Sequence, residues 1–134
     1  MIYADIQISK DFKFSELLSS QTARVRNIRE QFCPPLYVVQ NLIYITTHYL
    51  QPLRDACGVV YITSGYRCNR LNNLVKGSCT SAHLFGFAVD FTVKDMDAAV
   101  SFLKSYNFDQ LIVYDTFIHL GLHFLKERNQ IISK

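Results

Sequence analysis

A chain of 134 residues, 49% hydrophobic and 19% charged, is long enough to bury one proper core and too apolar to stay disordered. Its net charge of +3 is mild, and without a dense basic stripe or a recognised nucleic-acid motif, nucleic acid is not an expected partner. No apolar run is long enough to span a membrane, and Met1-Ile2-Tyr3-Ala4-Asp5 lacks a basic region followed by a signal core, so the product is expected to be made in a cytosol, as one domain over 1–134 that acts as a monomer.

The first ten residues read as an irregular or extended lead-in, followed by a short helix at Ser15-Glu16-Leu17-Leu18. Ser19-Ser20-Gln21-Thr22-Ala23 and the arginines after it (Arg24, Arg26, Arg29) read as a polar connection. Pro34-Pro35 marks a boundary and suits the first turn of a helix. Beyond it Val39, Leu42, Ile43, Thr46, Tyr49, Leu50 and Leu53 make a broad apolar stripe at helical spacing. Pro52 should kink that helix or split off its last turn, and Gly58 should end it. His48, beside Thr46-Thr47, is read as structural or exposed.

Val59-Val60-Tyr61-Ile62-Thr63 is β-branched and aromatic, hence a strand, and Ser64-Gly65-Tyr66-Arg67 turns out of it. Asn69 to Val75 is read as a short helix. Ala88 to Val93 alternates, with Val89, Phe91 and Val93 on one face and Ala88, Asp90 and Thr92 on the other. Asp95 is an N-cap for a helix from Met96 to Tyr106, closed by Asn107. The C-terminal part reads as a hairpin: Gln110 to Tyr114, a turn at Asp115-Thr116, and a return from Phe117 to Phe124. On the return strand Ile118, Leu120, Leu122 and Phe124 face the core, opposite Phe117, His119, Gly121 and His123. Strands that do not simply alternate with helices point to α+β. The four cysteines, Cys33, Cys57, Cys68 and Cys79, show no Cys-x-x-Cys spacing. A Cys68–Cys79 disulfide is conceivable, but buried free thiols suit a cytosolic product better.

The chemistry concentrates in Ser81-Ala82-His83-Leu84-Phe85-Gly86-Phe87-Ala88-Val89-Asp90. On a continuous strand His83 and Asp90 would face opposite ways, so either they are unrelated or a turn at Gly86 swings the imidazole onto the side of Asp90. In the second case they form two ligands of a metal site; otherwise they are a surface aspartate beside a satisfied histidine. Zinc sites that do chemistry usually take three protein ligands. The last strand offers His119 and His123 as the third, roughly 13 Å apart along a strand and so not both available to one ion. Gly121 leaves space beside His119.

Four segments carry a family resemblance: Ile62-Thr63-Ser64-Gly65-Tyr66-Arg67, Ser78-x-x-Ser81-x-His83-x-x-Gly86-x-Ala88-x-Asp90, Phe108-Asp109-Gln110-Leu111-Ile112 and Phe117-Ile118-His119-Leu120. In order and spacing they resemble the D-Ala-D-Ala carboxypeptidase and hedgehog-type zinc peptidases, most closely the small bacterial and phage-borne branch that acts on peptidoglycan. Phe14-Ser15-Glu16-Leu17 and Ser20-Gln21-Thr22-Ala23 resemble that branch's opening. The resemblance implies a compact α+β domain, mainly antiparallel, with helices on one side and a zinc cleft. It implies zinc held by His83, Asp90 and His119. Arg67 would lie near the substrate or polarise its carbonyl, and Ser81 would hydrogen-bond the peptide. The implied chemistry is metal-activated water cutting a peptide bond in peptidoglycan, as a carboxypeptidase or an endopeptidase.

In one respect the chain departs from this pattern. Five residues before the final zinc histidine the family usually has a glutamate that serves as base and then proton donor; here Tyr114 stands there, with Asp115 next to it. A phenol of pKa ~10 is a poor base at neutral pH but can donate a hydrogen bond to an oxyanion. Asp115 has the chemistry of a base, yet serves only if the turn bends it towards the metal; otherwise it is an ordinary turn residue. The departure keeps a second reading open, a catalytically silent zinc domain that binds wall peptides or a partner protein. Peptidoglycan lies outside the cytosol, so the branch further implies delivery as a phage lysis or virion component.

Overall fold

The computed structural model describes residues 3, 5–123, 125 and 127–134. The expected return-strand residue Phe124, the basic residue Lys126 and the lead-in residues Met1, Ile2 and Ala4 lie outside the described residues.

The lead-in is more ordered than its sequence suggests. β1 (Gln7–Ser9) pairs antiparallel with β2 (Phe12–Lys13), which runs directly into α1 (Phe14–Leu18). The stretch read as a polar connection contains α2 (Gln21–Val25), begun by Ser20, whose hydroxyl accepts the Ala23 N–H at 3.1 Å. That capping serine is a helix start signal, and only Ala23 of α2 is buried, so no apolar stripe announces it. A single 3-10 turn, Arg29–Phe32, follows.

α3 (Leu36–Ile45) starts after Pro35 and continues through a π turn at Thr46–Leu50 into α4 (Gln51–Cys57), which ends at Gly58. Pro52 has no N–H to offer the preceding turn, and the helix absorbs that deficit by widening just before it rather than breaking. The buried face runs through Val39, Leu42, Thr46, Tyr49, Leu50 and Leu53 as the stripe predicts, but Ile43 stays exposed.

β3 (Val60–Ser64) leads to α5 (Asn69–Leu74) and then to a 3-10 turn at Ala82–Phe85. β4 (Ala88–Val93) begins and ends where the alternation places it. α6 (Met96–Leu103) is capped by Asp95, which accepts the Ala98 N–H, but it stops before Tyr106; the Tyr106 N–H instead closes a turn on Leu103 O, and Asn107 O accepts the Tyr49 hydroxyl. β5 (Gln110–Val113), β6 (Ile118–Gly121) and β7 (Gln130–Ser133) complete a five-stranded sheet in the order β3-β4-β6-β5-β7. It is antiparallel except for the β5–β7 pair. The fold is α+β, as expected.

One face of the sheet is the core. Val89 and Phe91 of β4, Ile118 and Leu120 of β6 and Leu111 of β5 are fully buried, and they pack with Leu17, Leu42, Leu53 and Leu103 from the helices. The other face carries the polar partners of the same strands, because a strand that gives one face to the core sends every second side chain the opposite way. The four cysteines are free, but only Cys68 is buried; Cys33 and Cys79 are exposed, contrary to the expectation of buried thiols.

Candidate active site

Asp90 and His119 are direct partners across β4 and β6, both on the face away from the core. His119 Nδ1 lies 2.8 Å from Asp90 Oδ1. His83 reaches the same oxygen from outside the sheet, with Nε2 at 3.4 Å. Gly86 makes this possible: at φ 75° it caps the 3-10 turn and reverses the chain into β4. A Cβ there would stand 2.9 Å from Val38 O and 3.2 Å from the Leu42 side chain, so the turn sits directly on α3. The Asn41 amide fixes it from the same helix by donating to Phe85 O at 2.8 Å.

The His83 ring is almost completely buried, and its Nδ1 lies 2.7 Å from Gly65 O. A carbonyl only accepts, so Nδ1 carries a proton there and Nε2 is the ring nitrogen turned towards Asp90. At that distance Nε2 can meet the carboxylate as a proton donor or, through its lone pair, as a fellow ligand of one cation. Burial by itself would raise the Asp90 pKa, but hydrogen bonds from His119 and His83, with their charge, hold it well below the usual carboxylate value. The ligand atoms of His83, Asp90 and His119 all lie within 4.8 Å of one another. Two donors, each ~2.0–2.1 Å from a tetrahedral zinc, stand roughly 3.3 Å apart, close to the His83–Asp90 separation. Two nitrogens and one carboxylate oxygen are a donor set that zinc takes.

Gly65 lets the chain lie against the backbone of α1, and Gly121 leaves room for the His119 ring. A Cβ on Gly65 would run into Leu17 O at 2.3 Å, and one on Gly121 would press on His119 Nε2 at 3.1 Å. His123, the other candidate third ligand, is not in the cluster: its Nδ1 accepts the Leu125 N–H at 3.1 Å, and its own N–H donates to Glu127. His48 is exposed in the π turn, its ring stacked on Tyr44.

The three residues open into a cleft of about 650 Å³. Arg67 lines it, half-buried, with Nη2 donating to Ser81 Oγ at 3.3 Å. Burial lowers the Arg67 pKa and the Asp90 charge opposes this; its Nε is buried without a partner among the described residues. Ser81 also caps the 3-10 turn, accepting the His83 N–H at 3.2 Å. Tyr114 lines the cleft too, its ring stacked on Phe117 at 4.3 Å and 14°. Asp115 is exposed in the β5–β6 turn and is not among the residues lining the cleft.

Two features escape a reading of the sequence. Asp109 is buried at the edge of the cleft and held bidentately by Arg128, at 2.7 and 2.9 Å, so this half-exposed basic residue near the C-terminus also lines the cleft. Gln31 is wholly buried and bonded to Leu18, Tyr66 and Cys68. Asp109 stands in one of the family-like segments, which could have marked it; nothing in the sequence around Gln31 does so.

Among families of known proteins, the one described as Peptidase M15 matches residues 10–121. No individual curated protein matches the chain.

Proposed function

Because the chain belongs to the Peptidase M15 family of zinc metallopeptidases, we propose that it hydrolyses a peptide bond in the stem or cross-bridge of bacterial peptidoglycan. The observation that carries this reading is the convergence of His83, Asp90 and His119 at the floor of an open cleft. His83 would hold zinc through Nε2, Asp90 through Oδ1, and His119 through Nδ1, the atom it turns to Asp90. A zinc ion there supplies Lewis acidity, polarising a carbonyl and making water a stronger acid.

The chain's own residues orient the substrate and take up charge. Arg67 stays cationic and presents a planar guanidinium able to grip a carboxylate or steady a carbonyl oxygen on which charge develops. Ser81, already bonded to Arg67, offers the peptide a hydroxyl. Tyr114, in the wall of the cleft, is the better placed of the two residues that stand for the usual glutamate, and its phenol acts as a hydrogen-bond donor to the oxyanion rather than as a base. Asp115, pointing to solvent, is left as a turn residue. We place the action at the cell wall, as part of a phage lysis or entry apparatus, because the substrate lies there.

A second reading, a silent zinc domain that binds wall peptides or a partner protein, is favoured by one observation: the carboxylates lining the cleft are Asp90, a ligand, and Asp109, gripped by Arg128. One experiment separates the two. Purified protein with zinc should release new amine groups from peptidoglycan, and should lose that activity with a chelator or with His83→Ala. Stoichiometric zinc with no amine release would sink the hydrolase and leave the binding domain.

A further inference from the structure

The direction of the His83 ring and the anchoring of Arg67 both depend on residues 65–68. Gly65 O holds His83 Nδ1 at 2.7 Å, and the Arg67 N–H donates to His83 O at 3.0 Å. Residues 65–68 belong to neither helix nor strand, so what they dock on decides their conformation. The Tyr66 N–H donates to Leu17 O, at the end of α1, at 2.8 Å. The second dock is the Gln31 side chain, whose Nε2 donates to Tyr66 O at 2.7 Å and to Leu18 O at 2.9 Å, while its Oε1 accepts the Cys68 N–H at 2.9 Å.

Gln31 therefore grips the peptide groups on both sides of Arg67 and ties them to the end of α1. It is fully buried, and both ends of its amide are used. A buried hydrogen bond adds only modest net stability. What the amide adds beyond filling space is direction, since it sets the orientation of two peptide groups at once.

We propose that Gln31 is a positioning residue for the metal centre, holding residues 66–68 so that Gly65 O aims His83 Nε2 at Asp90 and Arg67 is presented to the cleft. The proposal rests on the zinc reading of the site. It acts through the second layer of contacts, where losing a partner of a ligating histidine typically costs roughly 10–100-fold in metal affinity or activity.

The test is Gln31→Met, which keeps much of the volume and removes all three bonds, with zinc affinity read by competition against a chromogenic chelator and folding by thermal unfolding. Gln51→Met is the comparison, because Gln51 also ties distant segments together, bonding Ser9 and Asp11 as well as the nearby Asp55, but its bonds reach neither residues 65–68 nor the metal candidates. Gln31→Met is expected to weaken zinc binding by roughly 10–100-fold and to lower kcat more than it raises KM. Gln51→Met should lower the melting temperature and leave zinc affinity where it was. Should Gln31→Met not fold, Gln31→Glu, which keeps an acceptor for the Cys68 N–H, is expected to weaken zinc over the same range. Unchanged zinc affinity in a folded Gln31 variant overturns the proposal. Wild-type protein that holds no zinc overturns the reading beneath it as well, so the wild-type titration tells the two failures apart.

Discussion

Two carboxylates line the same cleft and are held in opposite ways. Asp90 faces two imidazole nitrogens that converge on one of its oxygens, at 2.8 and 3.4 Å. Asp109 is gripped on both oxygens by the Arg128 guanidinium, with the Arg128 backbone N–H adding a third bond at 3.3 Å. A guanidinium keeps its protons at any working pH and satisfies a carboxylate as a fork, so Asp109 is already paired with a fixed positive charge. An imidazole can give up its proton and present a lone pair, so Asp90 with His83 and His119 is a group that could hold a metal ion. The same side-chain type becomes a ligand in one place and a strut in the other because of its neighbours.

The largest effect should come from breaking the metal end. Asp90→Ala is expected to abolish stoichiometric zinc after dialysis and to reduce hydrolysis by more than the roughly 100-fold that loss of an outer partner costs; metal analysis and amine release measure it. Next comes Tyr114→Phe, which removes one hydroxyl from the residues lining the cleft and should lower kcat by about 100-fold, the low end for loss of an oxyanion donor. Asp115→Asn, one residue on but exposed, should leave kcat unchanged, and the reverse ranking in steady-state kinetics would reassign the base.

Gly86→Ala tests the turn that brings His83 to Asp90. A left-handed residue with a side chain costs roughly 1–2 kcal/mol, and the contact with Val38 O adds to it, so urea unfolding should show a loss of about 2 kcal/mol or more together with weaker zinc binding. Arg128→Met tests the other end and should be smaller: a lower urea midpoint with zinc affinity unchanged.

Acid sharpens the comparison further. The hydrogen bonds from Arg128 are the main reason the Asp109 pKa lies below its ordinary value, with burial working against them. A depressed carboxyl pKa gives stability that is complete above the unfolded value of ~3.9 and is lost as pH falls through the folded value. Unfolding free energies measured on the acid side of about pH 5 should therefore fall less steeply in Arg128→Met than in wild type.

Much of the site was legible because it is local. The alternation of Ala88–Val93 fixed which way Asp90 points, and Gly86 marked the one place where the chain could turn His83 round. Alternation on β6 likewise put His119 on the open face, and the family-like segment Phe117-Ile118-His119-Leu120, not alternation, singled it out over His123. Adjacent strand residues face opposite ways, which made Tyr114 and Asp115 alternatives that only the shape of the turn could rank. α2 leaves no apolar stripe in the sequence because it buries a single residue, and β7 leaves none because its residues are mostly exposed and its partner β5 is parallel and distant in sequence.

What the amino-acid sequence determined by itself was the set of donors, the strand faces that carry them and the turn between the first two, because backbone alternation and glycine's freedom act over a few residues. The family resemblance added His119 as the third member; tertiary structure alone decided that Asp109 belongs to Arg128 and that Gln31 underlies residues 66–68. Those outcomes depend on which groups meet across the fold once water is excluded, where a buried amide or carboxylate must find its partner wherever the chain happens to place one.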